Sequence, residues 1–231
     1  MKVQVRASVV WRASLAIVVR HPVATVTPAL LLAPLSEAPH LLPENRSYLE
    51  LGLVFIVESL AFYLYVAYAE RLTSEARRSP GPIAVLRVLR NLLLAAPVVP
   101  IVAIASLAAI ALPTASASLL VIPGIWVMTR WSLFAPAIVT EHLGPVAALK
   151  RSNELVRGNF ELIFLTSAFA VVLEEAVDSL GATVGWELTG SATWGVWAGG
   201  SVATILILPV ASFTTALVYG HLRYAEHRTR S

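Results

Sequence analysis

The chain has 231 residues, of which 57% are hydrophobic and only 13% are charged, and its net charge is +3. A soluble domain carries about 25% charged residues, and a mean hydropathy of +0.75 is too apolar for a water-facing surface. The composition excludes an ordinary soluble enzyme, a disordered tail and a nucleic-acid-binding protein. It predicts an integral protein of the cell membrane. Because the chain has no cysteine, disulfides and thiolate-bound metals or clusters are also excluded.

Six apolar segments are predicted to cross the membrane, since about 20 apolar residues span the hydrocarbon core as a helix. The first is short and contains Pro28 and Pro34, and we interpret it as a kinked or partly re-entrant helix whose freed carbonyls are satisfied by neighbouring helices. The second carries Glu58 and the fourth carries Arg130 within the apolar run. Small residues in the sixth are expected to let it approach a neighbour closely; they are Gly199, Gly200, Ser201, Ala203 and Thr204. The six segments are Pro22 to Leu42, Tyr48 to Ala69, Leu92 to Leu112, Ser118 to Thr140, Phe160 to Leu180 and Val196 to Leu222.

The basic residues predict the orientation of these segments. All but Arg46 and Arg130 of the 17 Lys and Arg residues precede segment one, follow segment six, or lie between segments two and three or four and five. Loops rich in Lys and Arg stay in the cytoplasm. Both termini are therefore predicted to be cytoplasmic.

Short sequence matches predict an internal repeat. Gly81-Pro82-Ile83-Ala84-Val85-Leu86-Arg87 returns as Gly144-Pro145-Val146-Ala147-Ala148-Leu149-Lys150, and each stretch precedes a span. A shared period is the signature of a repeat architecture. We expect an all-α single membrane domain of three pseudo-repeats, about 1–70, 80–140 and 144–223. Each repeat has a basic amphipathic helix at the interface followed by a helical hairpin.

The third basic stretch shows the amphipathic pattern best. Ala148, Ser152, Leu155 and Val156 share one side at helical spacing, and the opposite side carries the bases Lys150, Arg151 and Arg157. Such a helix lies in the interface with its apolar side in the acyl region and its bases towards anionic head groups. The alternative is that these bases only fix the topology and cap the bundle.

Residues 80–225 contain a series of motifs that form a recognisable pattern. They are Pro123-Gly124-Ile125-Trp126, Arg130-Trp131-Ser132, Pro136, Glu141, Ala148-Leu149-Lys150-Arg151-Ser152, Leu155-Val156-Arg157-Gly158-Asn159-Phe160 and Leu217-Val218-Tyr219-Gly220-His221-Leu222-Arg223. The pattern resembles a membrane-domain family of bacteria and archaea, which includes the membrane domain attached to some glycerophosphodiester phosphodiesterases and stand-alone YciC-like proteins. The resemblance implies a multi-pass architecture and no catalysis, because the family's phosphodiester chemistry belongs to a separate soluble barrel.

An acidic group in segment five is a candidate cation-binding site. Glu174 and Asp178 share a helix face, Glu175 lies beside them, and all three are predicted at the outer end of the segment. They would attract cations, or bind a divalent ion with Glu187. The alternative is an ordinary polar helix end beside interfacial tryptophans. No histidine spacing predicts a metal site, and no cofactor is expected.

Glu58 and Arg130 are the strongest intramembrane candidates, because ionisable groups inside a span are costly and face a partner or a water-filled cavity. Their similar predicted depth suggests an ion pair, either structural or functional. If Trp131 instead marks the cytoplasmic interface, Arg130 extends to that interface.

Three functions remain open. The first is a non-enzymatic protein that handles lipid or a small charged solute through a polar cavity between repeats. The second is a scaffold or accessory protein for a membrane partner or a second copy, without transport activity. The third and weakest is an intramembrane enzyme acting on lipid head groups.

Overall fold

The computed structural model describes residues 6–41, 48–78, 126 and 129–230, and within these ranges the chain forms helices and no strands. The predicted all-α class is confirmed for this part of the chain. The third predicted segment, Leu92 to Leu112, lies outside it. The helices are α1 (Ala7–Arg20), α2 (Pro22–Ser36), a 3₁₀ turn (Ala38–Leu41), α3 (Tyr48–Arg78), α4 (Phe134–Glu141), α5 (Pro145–Val156), α6 (Phe160–Thr189) and α7 (Ala192–Arg230).

Helix α7 is long and apolar enough to cross a membrane over Ala192–Arg228. Two pairs of helices could each form one further span with a bend. Helices α1 and α2 meet at 93°, and the stretch Thr129–Glu141 meets α5 at 118°. Helix α6 has sufficient length, but Glu174, Glu175 and Asp178 interrupt its apolar run. The described residues therefore contain at least one transmembrane helix.

Helix α7 is the centre of the bundle, since α1, α2, α3 and α6 all pack against it. One buried cluster joins α4, α5 and the C-terminal half of α7. Tyr219 and Leu133 are fully buried in it. A second joins α2, α3 and α7 around Tyr65, Tyr68 and Phe213. Burial of these apolar and aromatic side chains fixes the position of the helices that carry the polar groups.

The proline-rich first segment forms a continuous helix because α3 supplies missing hydrogen-bond donors. Pro28 has no N–H and leaves the carbonyl of Ala24, four residues earlier, without its helical partner. The buried Tyr68 hydroxyl donates to that carbonyl at 2.6 Å, and the Tyr65 hydroxyl donates to the next carbonyl, of Thr25. The expectation that neighbours satisfy carbonyls freed by proline is confirmed here.

Replacing Tyr68 with phenylalanine is expected to lower the free energy of unfolding by about 1–3 kcal/mol, because a buried carbonyl loses its donor. In a Pro28→Ala background the new N–H can bond to Ala24, so the same change should cost less. Thermal unfolding in detergent measures both effects. Tyr63→Phe is the control, since the Tyr63 hydroxyl makes no hydrogen bond within the described ranges. An equal cost in both backgrounds would refute this role of Tyr68.

Helices α6 and α7 form a tight antiparallel hairpin joined by Gly190 and Ser191. Gly190 has φ 65°, the left-handed conformation that ends a helix and favours glycine. Further along the hairpin, Gly181 lies against Gly199 and Gly185 lies against Gly195, so that the two backbones touch. The prediction that the small residues of the last span allow a close helix approach is confirmed for Gly199.

The fourth and fifth predicted segments differ from the structure. Within the fourth, the helix is interrupted at Ser132 and Leu133 before α4 begins, because Pro136 cannot donate to the carbonyl of Ser132. Ser152 of α5 bridges this break, accepting from the Leu133 N–H and donating to the Arg130 carbonyl. The helix of the fifth segment continues beyond Leu180 to Thr189. Gly181 and Gly185 do not interrupt it, because they pack against the backbone of α7.

Candidate functional site

Helix α5 packs its apolar side into the protein. Gly144 precedes it, Pro145 occupies its first turn, and it ends before the turn at Gly158, which has φ 93°. Its buried residues join the core with α4 and α7, so the expectation that this side lies in the acyl region is wrong. The side chains that decide this are Ala148, Ser152, Leu155 and Val156, none more than 6% exposed.

Arg151 is the centre of a charged network that joins three helices. Its Nε donates to both carboxylate oxygens of Glu141, at 3.1 and 3.0 Å. Its two terminal nitrogens donate to the two oxygens of Glu226 on α7, the Nη1 bond being 3.1 Å long. The arginine side chain is 16% exposed and the two carboxylates are 19% and 21% exposed. A bidentate guanidinium–carboxylate pair of this kind is strong and geometrically specific.

The network continues through hydroxyl groups. Tyr219 on α7 donates to Glu141 at 2.7 Å, and Arg223 approaches the same oxygen at 3.9 Å. Thr140 donates to the buried carboxylate of Glu70 at 3.2 Å, which links α3 to α4. These contacts connect the α4–α5 bend to the end of α7, so Arg151 caps the bundle as one of the two sequence interpretations proposed.

The other two bases of α5 are placed differently. Lys150 and Arg157 are exposed, and neither forms an ion pair in the described part of the chain. With Val146 and Asn153 they lie at helical spacing along one side, which we call the basic face of α5. Of the three predicted head-group residues, Arg151 is therefore held in ion pairs, whereas Lys150 and Arg157 are exposed.

Arg130 contacts α5. Its guanidinium donates to Asn153 Oδ1 at 2.8 Å and lies 3.9 Å from the centre of the Trp126 ring. Trp126 and Trp131 are 47% and 41% exposed. Within the described residues Arg130 makes no contact with Glu58, which lies half-buried on α3. Arg130 therefore contacts Asn153 and Trp126 instead of the predicted partner Glu58.

The acidic group lies in the middle of α6, because the helix continues for several turns after Asp178. The alternative interpretation, an ordinary polar helix end, is therefore wrong. Glu187 is exposed and about 13 Å further along the helix axis, and no group of three metal-binding side chains forms in the described ranges. The Glu175 side chain lies outside the described part, and Glu174 lies one turn before Asp178.

Asp178 and Glu37, which was not among the predicted site residues, both approach Gly200 of α7. Glu37 is 6% exposed and accepts a hydrogen bond from Thr204 at 3.0 Å. Glu37 Oε2 and Asp178 Oδ1 lie 2.8 and 2.9 Å from the point that a side-chain carbon on Gly200 would occupy. The absence of a side chain at Gly200 lets two carboxylates from α6 and the end of α2 approach α7.

A small polar cavity lies between α6, α7 and the helix break. Its volume is about 10 Å³, enough for one water molecule and no solute. On one of its walls, the Thr214 hydroxyl donates to Ser14 Oγ of α1 at 2.9 Å. The hydroxyl groups that line it belong to Ser132, Thr166, Ser167, Thr214 and Thr215.

Sequence reasoning missed Glu70, Glu226 and Glu37 as site residues. One signal existed for Glu226, because Tyr219, Arg223 and Glu226 recur at helical spacing and form a polar stripe on one side of α7. Nothing local indicated that the stripe faces Arg151, which is 75 positions away.

No family model, curated protein or solved structure matches the chain. The resemblance to the phosphodiesterase-linked membrane domain and the YciC-like proteins stays a prediction.

Proposed function

We propose that this protein is a non-enzymatic, multi-pass protein of the cytoplasmic membrane that binds anionic phospholipids at its interfacial helices. The observation that carries the proposal is the pair of exposed bases on α5, Lys150 and Arg157. The neighbouring Arg151 is neutralised by two carboxylates, whereas these two have no acidic partner within the described ranges. Unpaired bases beside a membrane attract anionic head groups by about 1 kcal/mol each.

Helix α1 repeats the pattern. Its three arginines, Arg6, Arg12 and Arg20, are exposed and have no ion pair in the described part of the molecule. Exposed Val9 and Val19, at 57% and 71%, lie among them, which is typical of a helix at a lipid surface. Since α1 meets α2 at 93°, a membrane-crossing α2 would place α1 along the surface.

The size of the polar cavity favours lipid over a soluble solute as the ligand. This cavity, of about 10 Å³, holds one water molecule, and a charged solute could pass through it only if it widened considerably. Lipid binding at α1 and α5 needs no such opening. The predicted polar cavity between repeats is thus proposed as a hydrated packing defect and not as a transport path.

The proposal includes six spans with both termini in the cytoplasm. Because the chain has no cysteine, single cysteines report sidedness directly. A cysteine at Ser191, in the α6–α7 turn, should react with an impermeant maleimide in intact cells. A cysteine at Ser231 should react only after permeabilisation. Labelling of Ser231 in intact cells would contradict this topology.

The double variant Lys150→Gln/Arg157→Gln is expected to lose about fivefold in affinity for phosphatidylglycerol per charge removed, from about 1 kcal/mol each. Native mass spectrometry in detergent containing phosphatidylglycerol and phosphatidylcholine measures the bound lipids. Arg228→Gln removes an exposed charge at the end of α7 and is the matched control. An unchanged lipid profile in the double variant would leave these bases as topology signals and favour the scaffold function.

A further inference from the structure

We propose that Arg130, Lys150, Asn153 and Arg157 form one binding site for the phosphate of an anionic phospholipid head group. This inference rests on the proposed function and adds to it a defined site. The structural basis is the contact between Arg130 and the middle of the basic face of α5. The Arg130 guanidinium donates to Asn153 Oδ1 at 2.8 Å.

Helix geometry brings the other two cations to the same place. Lys150 begins about 4.5 Å before Asn153 along the helix axis, and Arg157 about 6 Å after it. All three residues lie on one side of α5, opposite the buried side. The hydrogen bond to Asn153 therefore places the Arg130 guanidinium between two exposed bases, Lys150 and Arg157.

The donors that remain suit a phosphodiester. The bond to Asn153 uses one terminal nitrogen of Arg130 and leaves N–H groups for two phosphate oxygens. The Asn153 amide, whose oxygen accepts from Arg130, keeps its NH₂ group as a further donor. The Trp126 ring, 3.9 Å from the guanidinium carbon, holds the planar group in place by a cation–π interaction.

The surroundings indicate a lipid and not a free phosphate ion. Trp126 and Trp131 are both substantially exposed, and exposed Val146 lies on the same side of α5. Tryptophan is enriched at the level of lipid head groups, where one part of its ring is apolar and its N–H is hydrated. A phosphate bound at Arg130 would thus have apolar surface beside it for the glycerol and upper acyl carbons.

Titration of the full-length protein in detergent with phosphatidylglycerol, followed by native mass spectrometry, tests the site. Arg130→Gln should weaken binding of the first lipid about tenfold, since a bidentate contact is lost with the charge. Arg228→Gln, which removes an exposed arginine 5.9 Å from the Tyr224 ring centre, should change it less than twofold. Arg130→Lys keeps the charge but loses the planar guanidinium, which can donate two parallel hydrogen bonds, and should weaken lipid binding by an intermediate factor.

The outcomes separate this site from the general proposal. If Arg130→Gln and Arg228→Gln bind alike while Lys150→Gln/Arg157→Gln loses lipid, the Arg130 site is refuted and the general proposal stands. If none of these variants loses lipid, both are refuted. Inorganic phosphate should not displace phosphatidylglycerol at equal concentration, and displacement would overturn the lipid assignment. An unchanged melting temperature of Arg130→Lys shows that its loss of lipid is not a loss of fold.

Discussion

Replacing Gly199 with alanine is expected to lower the free energy of unfolding by about 3 kcal/mol or more, the largest effect of any single methyl group in the described chain. The new carbon would overlap the carbonyl group of Gly181 and lie 3.0 Å from the amide nitrogen of Ala182. Both are backbone atoms of α6, which cannot rotate away as a side chain can. Overpacking of this kind costs about 1–3 kcal/mol when side chains can adjust, and here the helices themselves must separate.

The matched control is Gly144→Ala, because nothing lies within 4 Å of the added carbon. Gly144 precedes α5 with φ −70°, which alanine adopts freely, so the change should cost less than about 1 kcal/mol. Thermal unfolding in detergent compares the two variants. Equal stabilities would show that α6 and α7 are further apart than the structure has them.

Replacing Arg151 with methionine is expected to cost about 2–4 kcal/mol, the second largest effect. The change removes the cation that the carboxylates of Glu141 and Glu226 share, and the two negative charges stay close to each other. Removing one partner of a fully buried pair costs about 3–5 kcal/mol, and the residual exposure of 16% to 21% at these side chains reduces that value.

A double-mutant cycle isolates the pair. Adding Glu226→Gln to Arg151→Met removes one of the two carboxylate charges that have lost the arginine. The free energy of unfolding of the double variant should therefore be higher than the sum of the two single losses predicts, by about 1 kcal/mol or more. Additive losses would mean that Arg151 and Glu226 act separately.

The contribution of the wild-type arginine to stability does not depend on pH in the range where the protein is handled. Hydrogen bonding to Glu226 is the largest cause of its raised pKa, with a further contribution from Glu141, and together they outweigh burial, which lowers the pKa. A cation whose pKa is raised in the folded state stabilises fully below its unfolded pKa, which for arginine is already strongly alkaline, and loses that contribution only at still higher pH. The charge of Arg151 is therefore constant wherever the protein is handled.

The sequence by itself determined the class of this protein and several local features. Low charge and high hydropathy require a membrane or an equivalent apolar environment for the surface. Helix α5 carries Ala148, Ser152, Leu155 and Val156 on one side, as their spacing predicts, and all four are buried. The carbonyl freed by Pro28 finds a donor, and Gly199 meets a neighbouring helix, as expected. Each of these follows from residue type and spacing within one or two helical turns.

Only the tertiary structure decided which groups meet. Gly181 and Gly185 break a helix when judged by propensity, but their missing side chains are what allow α7 to touch α6, so packing against α7 keeps that helix intact. Arg151 and Arg157 are equivalent in the amphipathic pattern, yet one faces Glu226 and the other faces outwards. A pattern along one helix reports which residues share a side. It carries no information about what lies opposite, because that partner is brought from a distant part of the chain by the burial of the apolar core.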